Sequence, residues 1–307
     1  MRPTQKVMAK YNANIHVKKD GQIVANIPEG ITLIEKNDGP FTLCVNKNMC
    51  VNMEVIIESA IDIHYVFETF SEVKFIEYRR IEQGGEMNCS MDVKAGAKVV
   101  GARLNEQNHI EALVINEKNN IARDAHVEIS YGEIADGDTS GTYAYELNEE
   151  GADVHLHVAA ISRNKDRKQF EVTLNHHAPH TYGVMENYGV TRHQSRLTFD
   201  GVGRIDKGMH DSNSHQTSRI MVFEKGSIAR ANPYLFIDDY DVKASHAASV
   251  GAMNEDHLYY LQSRGLTKKQ AMHLITLGYL LPAINVLKDE EIERRFEEML
   301  LGKVGDE

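Results

Sequence analysis

Residues 232–251 read Asn232-Pro233-Tyr234-Leu235-Phe236-Ile237-Asp238-Asp239-Tyr240-Asp241-Val242-Lys243-Ala244-Ser245-His246-Ala247-Ala248-Ser249-Val250-Gly251. The apolar run at 235–237 stops at the acidic group Asp238, Asp239 and Asp241, which reads as a strand end and a solvated turn. Toward the N-terminus the texture is the same. Val127, Ile129 and Tyr131 alternate with His126, Glu128 and Ser130; Val154, Leu156 and Val158 alternate with His155, His157 and Ala159. Phe170, Val172 and Leu174 repeat the pattern, as do Leu197, Phe199, Gly201, Gly203 and Ile205. Side chains of period two belong to β-strands. Polar turns such as Ala135-Asp136-Gly137-Asp138 and Glu149-Glu150-Gly151 separate the runs.

Many short strands suit a sandwich, a barrel or a stacked solenoid. Two features favour the solenoid. The middle of the chain has no regular Asn-Gly or Asp-Gly hairpin signal. Small residues (Gly84, Gly85, Gly96, Gly101, Gly132, Gly141) recur where corners are expected. No clean sequence repeat accompanies them.

Toward the C-terminus the pattern turns helical. Asn254 is placed to cap a helix whose first turn holds Glu255 and Asp256, with Leu258 and Leu261 at helical spacing and Gly265 at its end. Thr267-Lys268-Lys269-Gln270 is a capping box opening a second helix, with Ala271, Leu274, Ile275 and Gly278 expected on one face. Pro282 ends or kinks it. From about Asp289, Ile292, Phe296, Met299 and Leu300 form the stripe of a third helix. The expected organisation is a β core over 1–252 and a three-helix domain over 253–307 that covers the open edge of the β core.

The chain has 307 residues, a formal net charge of −11 and a sequence pI near 5.8. An acidic chain without a basic block lacks the Lys/Arg footprint for nucleic acid or an anionic membrane. Met1 to Tyr11 is polar and has no apolar core, unlike a signal peptide, and no stretch approaches the roughly 20 apolar residues of a membrane span. A cytoplasmic protein is expected. Cys44, Cys50 and Cys89 form no C-x-x-C pair, so free and mostly buried thiols are expected.

No G-x-S-x-G, H-E-x-x-H, G-x-G-x-x-G or P-loop motif is present, so ATP hydrolysis would have to come from another protein. Histidine is the unusual signal: nine of the fifteen lie between His155 and His246. The run His176-His177-Ala178-Pro179-His180 is dense enough for a metal site, with polar strand-face and turn residues as the plain alternative. His155 and His157 share one strand face. Tyr259 and Tyr260, with Arg264 and Leu266 close behind, cannot both face a core and suit an interface.

The block at 232–251 resembles the signature of the SufB/SufD family, roughly N-P-x-L-x-I-x-x-x-D-V-x-x-S-H-G-A-T-V-G. Leu258-Tyr259-Tyr260-Leu261-Gln262-Ser263-Arg264-Gly265-Leu266 looks like that family's L-F-Y-L-x-S-R-G-I. His176 to Gly183, Ser195 to Gly201 and Gln216 to Arg219 match further family blocks, so the resemblance covers roughly 170–281 and is weak over the first 150 residues. It implies a right-handed parallel β-helix with a C-terminal helical domain. It further implies a non-enzymatic scaffold of SUF iron–sulfur cluster assembly, partnered by a SufC-type ABC ATPase and a second SufB/SufD-type chain. No tightly bound cofactor is implied, only a transient Fe–S cluster in the complex. His246 is carried over as a cluster-assembly and interface residue and candidate metal ligand, with Ser245, Asp241 and His215 around it. Tyr259, Tyr260, Arg264, Leu266, Leu274 and Gly278 fall in the ATPase dock. This chain departs from the B-type pattern: Ala247 follows His246, and no cysteine occurs after Cys89. The resemblance therefore points to a D-like member, or a minimal homologue with other ligands. Because the β pattern starts early, the family's N-terminal helical region is expected to be missing from this sequence. The competing readings are a His-rich metal-dependent enzyme built on His176, His177 and His180, and a carbohydrate-active β-solenoid, which the absence of Trp disfavours.

Overall fold

A computed structural model describes residues 11–34 and 40–303. The strands begin with β1 (Ala13–Val17), β2 (Ile23–Asn26), β3 (Ile31–Ile34), β4 (Phe41–Val45), β5 (Cys50–Ile57), β6 (Ile63–Phe67), β7 (Glu72–Arg79), β8 (Gly85–Val93), β9 (Lys98–Asn105) and β10 (Leu113–Ile121). They continue with β11 (His126–Glu133), β12 (Thr139–Leu147), β13 (Asp153–Ser162), β14 (Arg167–His176), β15 (Tyr182–Thr191), β16 (Arg196–Ile205), β17 (Asn213–Val222), β18 (Ile228–Ile237) and β19 (Lys243–Ala252). From β4 on, the chain crosses between two sheets with every strand. Odd-numbered strands pair in parallel in one sheet and even-numbered strands in the other. The result is a parallel β-solenoid of about seven coils. The expected solenoid is therefore the architecture found.

The coils differ in length. Register sets Cys50 beside Glu72, 22 positions on, and Tyr182 beside Asn213, 31 positions on. That drift is why no repeat shows in the sequence. At the N-terminal end β2 and β3 run antiparallel to β1 and β4, closing that edge of each sheet. The β1–β2 turn carries Asp20-Gly21, a hairpin signal that the sequence reading passed over. Of the polar stretch Met1–Tyr11, only Tyr11 lies within the described residues.

Alternation sets what is inside. Val154, Leu156 and Val158 face the lumen and are fully buried, as are Phe170, Val172 and Leu174 of β14 in the facing sheet. Burying each such side chain stabilises the fold by roughly 1.5–3 kcal/mol. Gly96 holds a corner at φ +66°, a conformation that costs glycine little. Gly101, Gly132 and Gly141, by contrast, lie within strands rather than at the expected corners. A Cβ on Gly101 would stand 2.5 Å from the Phe75 carbonyl oxygen and 2.6 Å from its ring. The glycine is there to admit the aromatic ring of the neighbouring coil.

The lumen is not wholly apolar. Glu77, Arg79, Arg103 and Glu117 are buried within it. Arg79 donates to Glu77 (2.7 Å) and Glu117 (2.6 Å), Arg103 donates to Glu117, and Tyr131 donates to Glu117 (2.7 Å). Burial alone would raise the Glu77 carboxyl, but the Arg79 and Arg103 guanidinium groups hold it below its ordinary value. Cys89 lies beside this group, its thiol pushed up by burial. Only Cys89 of the three cysteines is buried; Cys50 is exposed and Cys44 intermediate, so the expectation of mostly buried thiols does not hold.

Four helices follow the strands: α1 (Glu255–Ser263), α2 (Lys268–Leu280), the single turn α3 (Pro282–Asn285) and α4 (Glu290–Leu301). Three were expected; Pro282 both follows α2 and opens α3 at its first turn, where a missing N–H costs nothing. Asn254 caps α1, and Thr267 and Gln270 form the capping box of α2, as read from the sequence. Ile292, Phe296 and Leu300 are the buried stripe of α4.

The helices do not cover the open edge. Met272, Leu280, Ile284, Phe296 and Leu300 pack on Ile76, Leu104, Ala159 and Ile161, on the outer face of the odd-numbered sheet. The Ser130 hydroxyl donates to the Ala283 carbonyl (2.7 Å), and Arg295 pairs with Glu106 (2.7 Å), fixing the helices along that flank. The correction has a physical cause. The outer face from β7 to β15 is itself apolar along half its width and needs the helices more than the edge does. On α2 the buried residues are Ala271, Met272, Thr276 and Leu280, so Leu274 and Gly278 are not on the core face expected for them. No helix among the described residues is long and apolar enough to cross a membrane.

Candidate functional site

The last coil is the unusual part of the molecule. In β17, Ser214, Gln216, Ser218 and Ile220 are buried and face the lumen. Register places Ala244, His246, Ala248 and Val250 of β19 directly beyond them, so these four continue the inward columns. Yet every residue of β19 is exposed. β19 and β18 each pair on one side only and end their sheets. Pro233, a residue confined to sheet edges, lies in β18. His246 is therefore a lumen-facing side chain of an unclosed coil. On the outward face beside it, His215 Nδ1 lies 2.7 Å from the Ser245 hydroxyl. Asp241 sits in the loop before β19, where its carbonyl accepts from the Asp211 N–H (2.7 Å), and Asp239 accepts from Gly208 (2.7 Å) and Asp241 (3.0 Å) backbone N–H groups. The Asp239 carboxylate thus serves turn structure, in keeping with the solvated-turn reading. His246, Ser245 and His215 are gathered at one edge; Asp241 is at its margin.

The histidines at 176, 177 and 180 do not converge. His176 faces the lumen, fully buried, with Nδ1 2.8 Å from the Thr181 hydroxyl; burial lowers its pKa to about 4. His177 points outward between Asp206 (2.6 Å) and Glu146 (2.8 Å). Burial lowers its pKa, and these two carboxylates more than reverse that, leaving it above the ordinary value. His180 occupies a corner at φ +56°, its ring edge-on to His210 at 5.2 Å. Among the described residues the candidate site at His176, His177 and His180 does not assemble, and the plain alternative of polar strand-face and turn residues fits: His176 faces inward at the end of β14, His177 turns outward and His180 sits at the corner.

A different trio does converge. Among the described residues, the one group of three potential metal ligands is His126, Asp153 and His155. Asp153 Oδ2 lies 2.8 Å from His126 Nδ1, and its Oδ1 lies 2.9 Å from His155 Nε2. The contact with Asp153 raises His155 above its ordinary pKa, and the two imidazoles hold Asp153 far below its own despite partial burial. His157, two positions from His155 on the same face as expected, is nearly covered and stands 3.2 Å from Glu186. The sequence reading missed the trio because His126 and Asp153 are neighbours only through the 27-residue register between β11 and β13.

The helical face offers a second exposed surface. α1 has no buried residue. Tyr259 is 76% exposed and Tyr260 55%. Arg264 stacks on the Tyr260 ring at 5.2 Å. Leu274 and Gly278 of α2 line a groove with Val250 and Gly251 of β19, about 490 Å³ in volume. Leu266, at the α1–α2 turn, is half-buried. Of the residues expected in the dock, Leu274 and Gly278 thus adjoin the open coil, while Tyr259 lines a separate groove with Phe223, Lys268 and Met272.

The family profile described as "SUF system FeS cluster assembly, SufBD core domain" matches residues 53–279. The chain belongs to the SufB/SufD family. Among its relatives, the SufD iron–sulfur cluster assembly protein of Bacillus subtilis is 32% identical over 182 residues, 59% of this chain and 42% of that protein. The SufB protein of the same organism is 22% identical over 162 residues, 52% of this chain and 35% of the relative. A SufBD family protein of Mycobacterium tuberculosis is 32% identical over 133 residues, 42% of this chain and 16% of the relative. The chain thus spans less than half the length of these SufB/SufD relatives. SufB/SufD proteins function in iron–sulfur cluster assembly.

Proposed function

We propose that this chain is a D-like scaffold of SUF iron–sulfur cluster assembly and not itself an enzyme. It pairs with a second SufB/SufD-type chain through β18 and β19 and binds a SufC-type ATPase through α1 and α2. The observation that carries the reading is the unclosed last coil. Ten exposed residues of β19 present unpaired backbone groups and a lumen-facing His246, an arrangement that a second strand edge would complete. The higher identity to SufD than to SufB supports the D-like assignment, as does the lack of any cysteine after Cys89. The nascent cluster is the cargo. His246 at the pairing edge is the residue proposed to meet it, with His215 and Ser245 on the outer side.

The ATPase couples to that edge by proximity. α1 begins three residues after β19 ends, so a force on the dock reaches the last coil through a short link. The test is to purify the chain with a SufC-type ATPase and determine the mass by light scattering, with and without a cysteine-bearing SufB chain. A complex holding two scaffold chains and two ATPases is expected. An ATPase that never co-elutes, with either scaffold combination, overturns the reading.

A further inference from the structure

We propose that His126, Asp153 and His155 form a binding site for one divalent first-row transition-metal ion on the outer face of the odd-numbered sheet. This inference rests on the trio's own geometry and not on the scaffold reading.

The donor set is two imidazoles and one carboxylate, which suits ions such as Fe²⁺, Co²⁺ and Zn²⁺ and leaves positions open for water. One ligand atom from each residue lies within 4.8 Å of the others. Ligands held at about 2.1 Å from an ion stand about 3–3.5 Å apart, so small side-chain rotations close the site. The backbone needs no movement. His126 and Asp153 are lateral partners, and Asp153 and His155 share a strand face, so their spacing is fixed by the ladder. β11 and β13 are both interior strands, held on each side by β9 and β15. A site built on paired strands is more rigid than one on loops.

The side chains are accessible, each about one-third exposed. The helices that cover the neighbouring part of this face leave them open: His157, one step along the strand face, is buried, while His155 is not. The surroundings favour a cation. Glu128 is the lateral partner of His155, and it and Glu186 act on the His155 charge. Lys98, beside His126 in register, opposes it. Tyr182 places its ring 5.4 Å from His155 and walls the open side toward the last coil. In the metal-free form Asp153 bridges the imidazoles. The ion takes the place of the protons that those contacts share.

The test uses the full chain, stripped of metal and titrated with Co²⁺, with visible absorption as the readout and Zn²⁺ as competitor. One equivalent should bind per chain, and Zn²⁺ should displace it. His126→Gln, His155→Gln and Asp153→Asn should each weaken Co²⁺ binding at least tenfold, a typical loss for a removed metal-site group. His177→Gln should leave it unchanged. Thermal melting with and without Zn²⁺ gives a second readout, since a bound ion stabilises the folded state; the rise seen for the wild type should vanish in each of the three variants. Three separate substitutions at part-exposed positions keep the test usable if one fails to fold. Wild-type chain that binds no stoichiometric Co²⁺, or Co²⁺ binding and a Zn²⁺-induced rise that persist in the three variants, overturns the proposal. The trio is then only a hydrogen-bonded rung contact.

Discussion

His246 is the lateral partner of Gln216: the first stands exposed where the second, one coil earlier on the same inward column, is buried. The contrast defines the open end of the solenoid. It marks the surface proposed above for pairing with a second chain, and it sets the first prediction.

Ala248 shares the inward face of β19 with His246, its partner in register being the buried Ser218. Ala248→Glu would force a carboxylate into any interface that closes this coil, where an unpaired charge is costly. Pairing with the second SufB/SufD-type chain should weaken at least tenfold, about 1.4 kcal/mol. The melting temperature of the isolated chain should be unchanged, because the site is already solvated. Light scattering over a dilution series checks the first, calorimetry the second; undiminished pairing would place the interface elsewhere.

Tyr259 and Tyr260 project from a helix that buries nothing. Replacing either by Ala should cost about 2 kcal/mol of ATPase binding, roughly a thirtyfold rise in Kd, if they act as interface anchors. Isothermal titration with a SufC-type ATPase measures this. An effect below twofold for both would remove α1 from the dock.

The lumen charges make the largest stability prediction. Glu117 accepts from Arg79, Arg103 and Tyr131 with all four side chains buried. Glu117→Gln leaves two guanidinium groups short of a counter-charge and should destabilise by about 3–5 kcal/mol. Arg123→Gln, which breaks the exposed pair with Glu150 at 2.9 Å, should cost far less, because solvent screens that pair. Urea unfolding of both variants gives the comparison, and equal costs would contradict the buried network.

His176 sets an acid response. Its pKa falls from 6.5 to about 4 on folding because burial disfavours the imidazolium. The folded state therefore binds fewer protons, and this contribution is fully present above pH 6.5 and lost as pH falls through the window to 4. The gap corresponds to about 3 kcal/mol. His177 acts with the opposite sign, its raised pKa stabilising the fold at low pH and fading as pH rises through its folded value. Urea midpoints measured from pH 7 to pH 4 should drop less steeply for His176→Gln than for the wild type. Parallel curves would show that His176 is not the group being titrated.

Much of the fold was legible where the signal is local. The alternation of Val154, Leu156 and Val158 gave the lumen face, and Asn254, Thr267 and Gln270 gave the helix starts, because caps and pleats are decided within a few residues. What depends on lateral neighbours was not. Coil lengths that vary from 22 residues (Cys50 to Glu72) to 32 (Arg196 to Ile228) hide which residues stack, so the His126–Asp153 contact and the reason for Gly101 could not be read. The lumen charges had a readable signal, since Glu77 and Arg79 continue the phase of Val73 and Phe75. The histidine run misled because density along the chain is not proximity in a strand. The helix positions misled because the outer sheet face competed for them.

A stack whose members touch only their immediate neighbours loses strength at a bare end. β19 rests on β17 alone along its sheet, and none of its side chains is dried by the core. Its amides should therefore exchange with solvent long before those of β13, even though both are ten-residue strands of one sheet. The stretch from Met253 to Asn254 joins this loosest strand to α1. Tension applied to the helices would thus be felt first where the solenoid yields most easily, and peeling could begin there while the remaining coils stay zipped.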